Sequence, residues 1–300
     1  MAHTHKHDHT DVHPLKYRKA FAIGIGLNIL FVILEVMYGF IANSSALLAD
    51  AGHNISDILG LAFAWAAAWM STLKPGGKYT YGFRKTTILV SLLNALLLFG
   101  AVIIIARDAI HKLIEPEPVG GTQVMIVAAI GVIINTFTAL LFFRGQKEDI
   151  NVKGAFLHMA ADAGVSLGVV IAGLLINITG ILWIDPITSF IIILVILWGT
   201  WGLFIDAINL ALDAVPKHID IEQINNYLLT REGVKNIHDL HVWALSTTQV
   251  ALTVHVVTDE QKNDEFIQKL QKELKNKFGI SHTTIQLERN IIETEYDSKC

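Results

Sequence analysis

Two short motifs in this chain carry the same chemistry at the same spacing: His53-Asn54-Ile55-Ser56-Asp57 and His158-Met159-Ala160-Ala161-Asp162. Each is an imidazole followed four positions later by a carboxylate. On a helix, positions i and i+4 stack on one face, so each pair aims a nitrogen and an oxygen at one point. Two such helices facing each other supply four donors, two His and two Asp. That is the number and kind of ligand a tetrahedral Zn²⁺ takes where thiolates are absent. Thiolates are scarce here, because Cys300 is the single cysteine. It excludes an internal disulfide framework and a multi-thiolate cage, and it disfavours Cu(I).

The surroundings of both motifs are apolar. Of 300 residues, 52% are hydrophobic and 17% charged, against roughly 25% charged in a soluble globular domain. About 20 predominantly apolar residues span a bilayer core as a helix, and six stretches qualify: 20–41, 46–70, 86–110, 124–143, 155–178 and 184–205. Turn or charge signals separate them at Asn43-Ser44-Ser45, at Pro75-Gly76-Gly77, at Glu115-Pro116-Glu117-Pro118, and around 144–153 and 177–180. The motifs fall in the second and fifth stretches, so their carboxylates sit at bilayer depth. An Asp there costs about 2.5–3.5 kcal/mol on insertion scales, and a pair of them calls for a compensating cation or protonation. Hydrogen-bonded packing between transmembrane helices requires neither matched spacing nor two carboxylates.

Three further polar residues share these helices. Asp50, one turn before His53 on nearly the same face, reads equally as a vestibule group, an alternative ligand or a satisfied polar residue. Glu35 in the first stretch and Asn135 in the fourth are not assigned as ligands.

Basic residues orient the bundle. Lys6, Lys16, Arg18 and Lys19 precede the first stretch, Lys74, Lys78, Arg84 and Lys85 follow the second, and Arg144, Lys147 and Lys153 follow the fourth. The alternate loops hold little beyond Lys112, with Arg107 close by, so the positive-inside rule puts both termini in the cytoplasm. The first residues lack an apolar h-region and read as a retained tail, not a cleaved signal. Its His3, His5, His7, His9 and His13 alternate with polar residues, as a flexible metal-gathering segment would. A net charge of −4 offers no basic field for nucleic acid. Neither a Walker loop nor a nucleotide-binding glycine pattern appears, which argues against an ATP-driven pump.

Past Asp213 the texture changes. Residues 220–229 and 264–278 read as helices, while 236–245, 249–258 and 283–288 read as strands. This αββαβ order suits a small open-faced sheet with helices on one side, large enough to fold alone and small enough to gain from pairing with a second copy. The expected organisation is therefore an α-helical membrane protein with a C-terminal α+β domain: a His-rich tail at 1–19, six transmembrane helices within 20–212, and a cytoplasmic domain at 213–300. On or beside the strands lie His238, His241, His255, His282 and Glu288. Regular alternation puts His238 and His241 on opposite faces, so only a bulge lets both join one site.

The segments Ala49-Asp50-Ala51-Gly52-His53-Asn54-Ile55-Ser56-Asp57, 158–162, Trp183-Ile184-Asp185-Pro186, His238-Asp239-Leu240-His241-Val242-Trp243 and 282–288 together resemble the cation diffusion facilitator transporters. The resemblance covers essentially the whole chain and is closest to the zinc-type branch, whose intramembrane site is two His and two Asp. It implies a homodimer with a metallochaperone-like cytoplasmic domain, exchanging cytoplasmic metal for outside protons by alternating access. Zinc is then the transported ion and the proton the counter-ion. A bacterial inner membrane is the expected location. The resemblance also implies a regulatory zinc site at His238, His255, His282 and Glu288, although Gln286 stands where some members have His. The loop at 77–84 lacks the Asp and His that some members use for an extra metal, so no site is expected there. Residues 145–153 hold no His, which shifts metal capture to the N-terminal tail.

Mechanistically, neutral His53 and His158 with ionised Asp57 and Asp162 would take dehydrated Zn²⁺ from the cytoplasm, and protons competing for the same lone pairs would expel it outside. A membrane-anchored zinc sensor is the chief rival, but an anchor needs no ligands at mid-membrane. An intramembrane metalloenzyme is a further rival; no H-E-x-x-H motif or separate general base supports it, so no enzymatic activity is expected. Among Zn²⁺, Cd²⁺, Co²⁺ and Ni²⁺ the affinity series overlap, and geometry decides.

Overall fold

Where the long helices end is set by residues that can leave the helical region of backbone space. The computed structural model describes residues 18–143, 150–258 and 264–289. Its first part consists of α1 (Arg18–Ile41), α2 (Ser45–Ser71), α3 (Thr86–Ile114), α4 (Gly121–Phe143), α5 (Ile150–Thr179) and α6 (Ile184–Ala211). After α1, Asn43 takes φ 51°, a left-handed conformation that Asn tolerates. The Ser44 N–H then turns back to the Gly39 carbonyl at 2.9 Å. Gly180 at φ 68° ends α5 in the same way, a conformation glycine adopts without a Cβ penalty. After α6, Asp213 has φ 60°, and Pro216 shortly afterwards cannot continue a helix.

Each of the six apolar stretches forms a helix, and several run past the apolar window. Among the described residues, five helices are long and apolar enough to cross a membrane: Ala22–Ile41, Thr86–Ile114, Gly121–Phe143, Val152–Thr179 and Ile184–Ala211. The stretch at 46–70 becomes α2 but is not one of these five. Its first half carries Asp50, His53, Asn54, Ser56 and Asp57, which lower its apolar content.

The chain divides into two compact units, Met1–Leu59 with Leu97–Gly199, and Gly60–Leu96 with Thr200–Cys300. In the first, Phe31, Leu47, Val124 and Val169 are wholly buried in one apolar cluster. Helix α4 packs along α5 and also against α1. Two glycines make these contacts close. A Cβ at Gly131 would lie 2.3 Å from Cζ of Phe31, so the ring seats only over glycine. A Cβ at Gly173 would lie 2.8 Å from the Met125 amide nitrogen and 2.9 Å from the Gly121 carbonyl. Small residues of this kind let helix backbones approach where lipid gives no hydrophobic drive. The outer faces are apolar: Trp198 is 87% and Ile104 71% exposed. A soluble protein does not present such a surface, whereas lipid covers it.

In the second unit the ends of α2, α3 and α6 accompany α7 (Ile221–Leu229), β1 (Val234–Ala244), β2 (Val250–Thr258), α8 (Asp264–Phe278) and β3 (Ile280–Glu288). This is the αββαβ order read from the sequence. Asp220 starts α7 by accepting the Glu222 and Gln223 N–H groups at 3.0 and 3.1 Å. Helix α8 has Asp264 and Glu265 in its first turn and Lys275 and Lys277 in its last, each favoured by the helix dipole. The sheet runs β1-β2-β3; β1 and β2 are antiparallel, β2 and β3 parallel, with α8 as the crossover. Ile224, Leu228, Leu252, Leu270, Leu274 and Ile280 form its buried core.

Candidate metal centre

The start of α2 is fixed before its ligands are reached. Asp185, buried in the first turn of α6, accepts the Ser45 N–H at 2.7 Å, the Ala46 N–H at 3.4 Å and the Ser44 hydroxyl. The Ser45 hydroxyl donates to Asp108 of α3. Lys112 joins Asp108 and the Asn43 carbonyl, each at 3.0 Å. A carboxylate at a helix N-terminus satisfies otherwise unpaired N–H groups and complements the dipole. These bonds set the rotation of α2, and two turns later His53 and Asp57 share the face that this rotation selects.

The four residues of the paired motifs meet as a closed ring. His53 Nε2 lies 3.5 Å from an Asp57 oxygen and 3.6 Å from an Asp162 oxygen. His158 Nε2 lies 3.2 Å from Asp57 and 3.7 Å from Asp162. Around the ring, imidazole and carboxylate alternate. A tetrahedron with donors about 2.0–2.1 Å from its centre has edges of about 3.3 Å; the four contacts fall near that length, with Asp162 meeting the two imidazoles through different oxygens and His158 standing outside the compact group of the other three. His53, Asp57 and Asp162 also offer ligand atoms that all lie within 4.8 Å of one another. The two imidazoles stand edge to face with centroids 6.2 Å apart. Side-chain exposure grades from 3% at Asp162 through 21% at His53 and 31% at Asp57 to 43% at His158. The ring is closed on the Asp162 side and open on the His158 side.

Behind this ring the remaining intramembrane residues find other roles. Glu35 is buried and accepts Asn54 Nδ2 at 3.0 Å, and Asp50 is buried and accepts the Ser166 hydroxyl at 2.9 Å. Neither joins the ring. Asn135 is buried with both side-chain polar atoms unpaired. Asn54 and Ser166 hold these carboxylates, yet no spacing singled them out; each is an ordinary polar residue until helix faces are known.

A second cluster lies on the sheet. His238 Nε2 is 2.8 Å from one Glu288 oxygen and His255 Nδ1 is 2.9 Å from the other. His238 pairs with His255 across β1 and β2. The His238 imidazole, hydrogen-bonded to Glu288, holds that carboxyl below the usual carboxylate range. Gln286 Nε2 donates to Glu288 at 2.8 Å and so steadies the carboxylate instead of offering a ligand nitrogen. The register shifts between His238 and His241, where Asp239 has φ 53°. That bulge departs from the regular alternation expected and turns His241 onto Asp239 at 2.7 Å, and the other Asp239 oxygen lies 3.7 Å from His255 Nε2. His282 also stands apart from His238, His255 and Glu288: it pairs with Ala251 on β2, while Gln286 pairs with His255. Four residues of strand separate those positions, about 13 Å at 3.3 Å per residue. The His282 ring instead meets Tyr81 edge to face, with centroids 5.5 Å apart. The tail histidines His3, His5, His7, His9 and His13 and the loop at 144–149 lie outside the described residues.

Comparison with known proteins places both halves of the chain in one family. Residues 21–210 match the cation efflux transmembrane domain, and residues 216–290 match the cation efflux protein cytoplasmic domain. The chain is 37% identical to the metal cation efflux system protein CzcD of Cupriavidus metallidurans, over 96% of this chain and 90% of that protein. It is 33% identical to the cadmium, cobalt and zinc/H(+)-K(+) antiporter of Bacillus subtilis, over 86% of this chain and 85% of that protein. It is likewise 33% identical to the zinc transporter ZitB of Escherichia coli, over 96% and 93% of the two chains.

Proposed function

The chain belongs to the cation efflux family, and on that premise we propose that it exports Zn²⁺, exchanging it for protons by alternating access. His53, Asp57, His158 and Asp162 are the ligands of the transported ion. The observation that carries this reading is the ring of alternating imidazoles and carboxylates with edges of 3.2–3.7 Å. Neutral imidazoles and ionised carboxylates bind metal, and protonated ones do not, so occupation by metal and by protons exclude one another. Names of relatives that specify zinc, cadmium and cobalt, and an H(+)-K(+) antiport, support the same chemistry here. Cd²⁺ and Co²⁺ are secondary cargoes.

In this reading α2 is the sixth membrane-crossing helix, its polar half facing the bundle. The bundle occupies residues 20–212 of a bacterial inner membrane with both termini cytoplasmic, following the basic residues of the loops. Residues 213–300 form the cytoplasmic domain, metallochaperone-like in its αββαβ order, through which two copies pair. His238, His255 and Glu288 form a second zinc site there, and the N-terminal histidines gather metal.

Proteoliposomes enclosing a zinc-sensitive dye test the transport. An acidic lumen should drive zinc uptake, and Asp57→Ala or Asp162→Ala should abolish it. Uptake indifferent to the pH gradient would overturn the antiport, and wild-type uptake by Asp162→Ala would overturn the ligand assignment.

A further inference from the structure

Two carboxyl groups in the bundle have no part in the metal centre. Glu35 of α1 and Asp50 of α2 are each 0% exposed. Each has one donor, Asn54 Nδ2 at 3.0 Å for Glu35 and the Ser166 hydroxyl at 2.9 Å for Asp50. Each also keeps one buried oxygen, Oε1 of Glu35 and Oδ1 of Asp50, with no donor at all. Asn54, which bonds Glu35, stands one turn after Asp50 on α2, so the two carboxyls lie side by side along one face of that helix. Two bare buried acceptors side by side repel, and the hydrogen that would join them is the one a shared proton supplies.

The charges around the pair favour the same occupant. Asp162, one turn before the Ser166 that bonds Asp50, adds a further negative charge from α5, and His53 follows Asp50 by three residues on α2. Helix α4, packed on α1, has no ionisable residue. On α3, Asp108 and Lys112 bond each other and the start of α2, and on α6 Asp185 is taken up by Ser44 and Ser45. An unpaired ionised carboxylate is costly in such surroundings, and two buried side by side do not both ionise. An alkali or alkaline-earth ion needs about six to eight oxygens. Here Asn54 and Ser166 present hydrogens to the carboxyls, leaving two free acceptors, which suffice for a proton alone.

We propose that Glu35 and Asp50 share one proton and form a second cation position in the bundle, separate from the four metal ligands. The inference rests on the antiport reading and adds to it a place for a counter-ion that the metal does not occupy. The coupling is electrostatic. A divalent ion entering beside Asp162 raises the local positive charge, and the shared proton leaves the pair for water. When the metal departs, a proton from water returns and restores the hydrogen bond between the carboxyls.

The test uses the full-length protein in lipid nanodiscs at neutral pH. Infrared difference spectra between zinc-free and zinc-saturated protein should show loss of a protonated-carboxyl C=O band on metal binding. Glu35→Gln and Asp50→Asn should each remove that band. Protons released per zinc bound, counted in weakly buffered medium, should fall by about one in either variant. ¹³C-labelled Glu or Asp incorporated into the wild-type protein should shift the band, which assigns it without relying on either variant to fold. A wild-type spectrum without the band, or a band unmoved by both labels, overturns the proton pair. Those results are independent of transport, so wild-type zinc uptake that ignores the pH gradient is recognised separately as failure of the antiport.

Discussion

Replacing Asp162 by Asn removes a negative charge and one ligand oxygen while keeping the shape of the most buried corner of the ring. Four-ligand zinc sites bind with about 10–16 kcal/mol, or about 2.5–4 kcal/mol per ligand if shared evenly. A lost ligand therefore weakens affinity by about 10²–10³-fold. The structure separates the two carboxylates within that range. Asp162 is 3% exposed, so water cannot readily fill its vacated position, whereas Asp57 is 31% exposed, on the open side of the ring. Zinc accepts water as a fourth ligand where an open position exists. Asp162→Asn should fall at the upper end of the range and Asp57→Asn at the lower. Competition with a chromophoric chelator, in nanodiscs and in a His255→Ala background that silences the sheet cluster, measures both. Wild-type affinity for Asp162→Asn, or a larger loss for Asp57→Asn than for Asp162→Asn, would refute the reasoning.

Asp185→Asn should lower the thermal unfolding midpoint, because it weakens bonds to the Ser45 N–H and the Ser44 hydroxyl in a buried position; a charge-assisted bond contributes about 1.5–3 kcal/mol. Gly173→Ala pushes a methyl against the Met125 and Gly121 backbones, which cannot rotate aside, and should cost about 1–3 kcal/mol in the same assay. Gly164→Ala, with open space around its Cβ, serves as the comparison and should match wild type. For the sheet, folding holds Glu288 below its ordinary value. Its contribution to stability is then complete above the unfolded carboxylate value and is lost as pH falls through the lower, folded one. Hydrogen exchange of β1–β3 across an acid series should show that loss in the wild type and a flatter profile in Glu288→Gln.

The i, i+4 spacing made the two His–Asp pairs legible because helix geometry is nearly invariant, and the charge contrast past Asp213 marked the change of texture. What the sequence left open depended on how faces meet. Nothing in the spacing of α2 and α5 says that imidazole and carboxylate alternate around the ring, since that follows from the relative rotation of two helices. His238, His255 and Glu288 converge only through strand register, and the same register removes His282. A one-residue bulge at Asp239 decides where His241 points, and no residue type announces it. Helix α2 is the instructive case: the polar residues that lower its apolar content include His53 and Asp57 of the ring and Asp50 and Asn54 behind it. Glu35 and Asp50 read as isolated polar residues in sequence because their relation spans two helices.

The glycine contacts between α4 and α5 also bear on how an ion leaves the ring. With Gly173 seated against the Gly121 and Met125 backbones, α5 has no room to slide along α4, so in the proposed exchange the two would move as a single jaw carrying His158 and Asp162. The opposing jaw is α2, with His53 and Asp57. Because each helix supplies one nitrogen and one oxygen, parting the jaws cuts the 3.6 and 3.2 Å contacts and spares the two within the helices. Each resulting half-site keeps a single negative charge against a doubly charged ion. In the proposed exchange, neither half-site alone would offer the four donors the ion takes, so parting the jaws would release it.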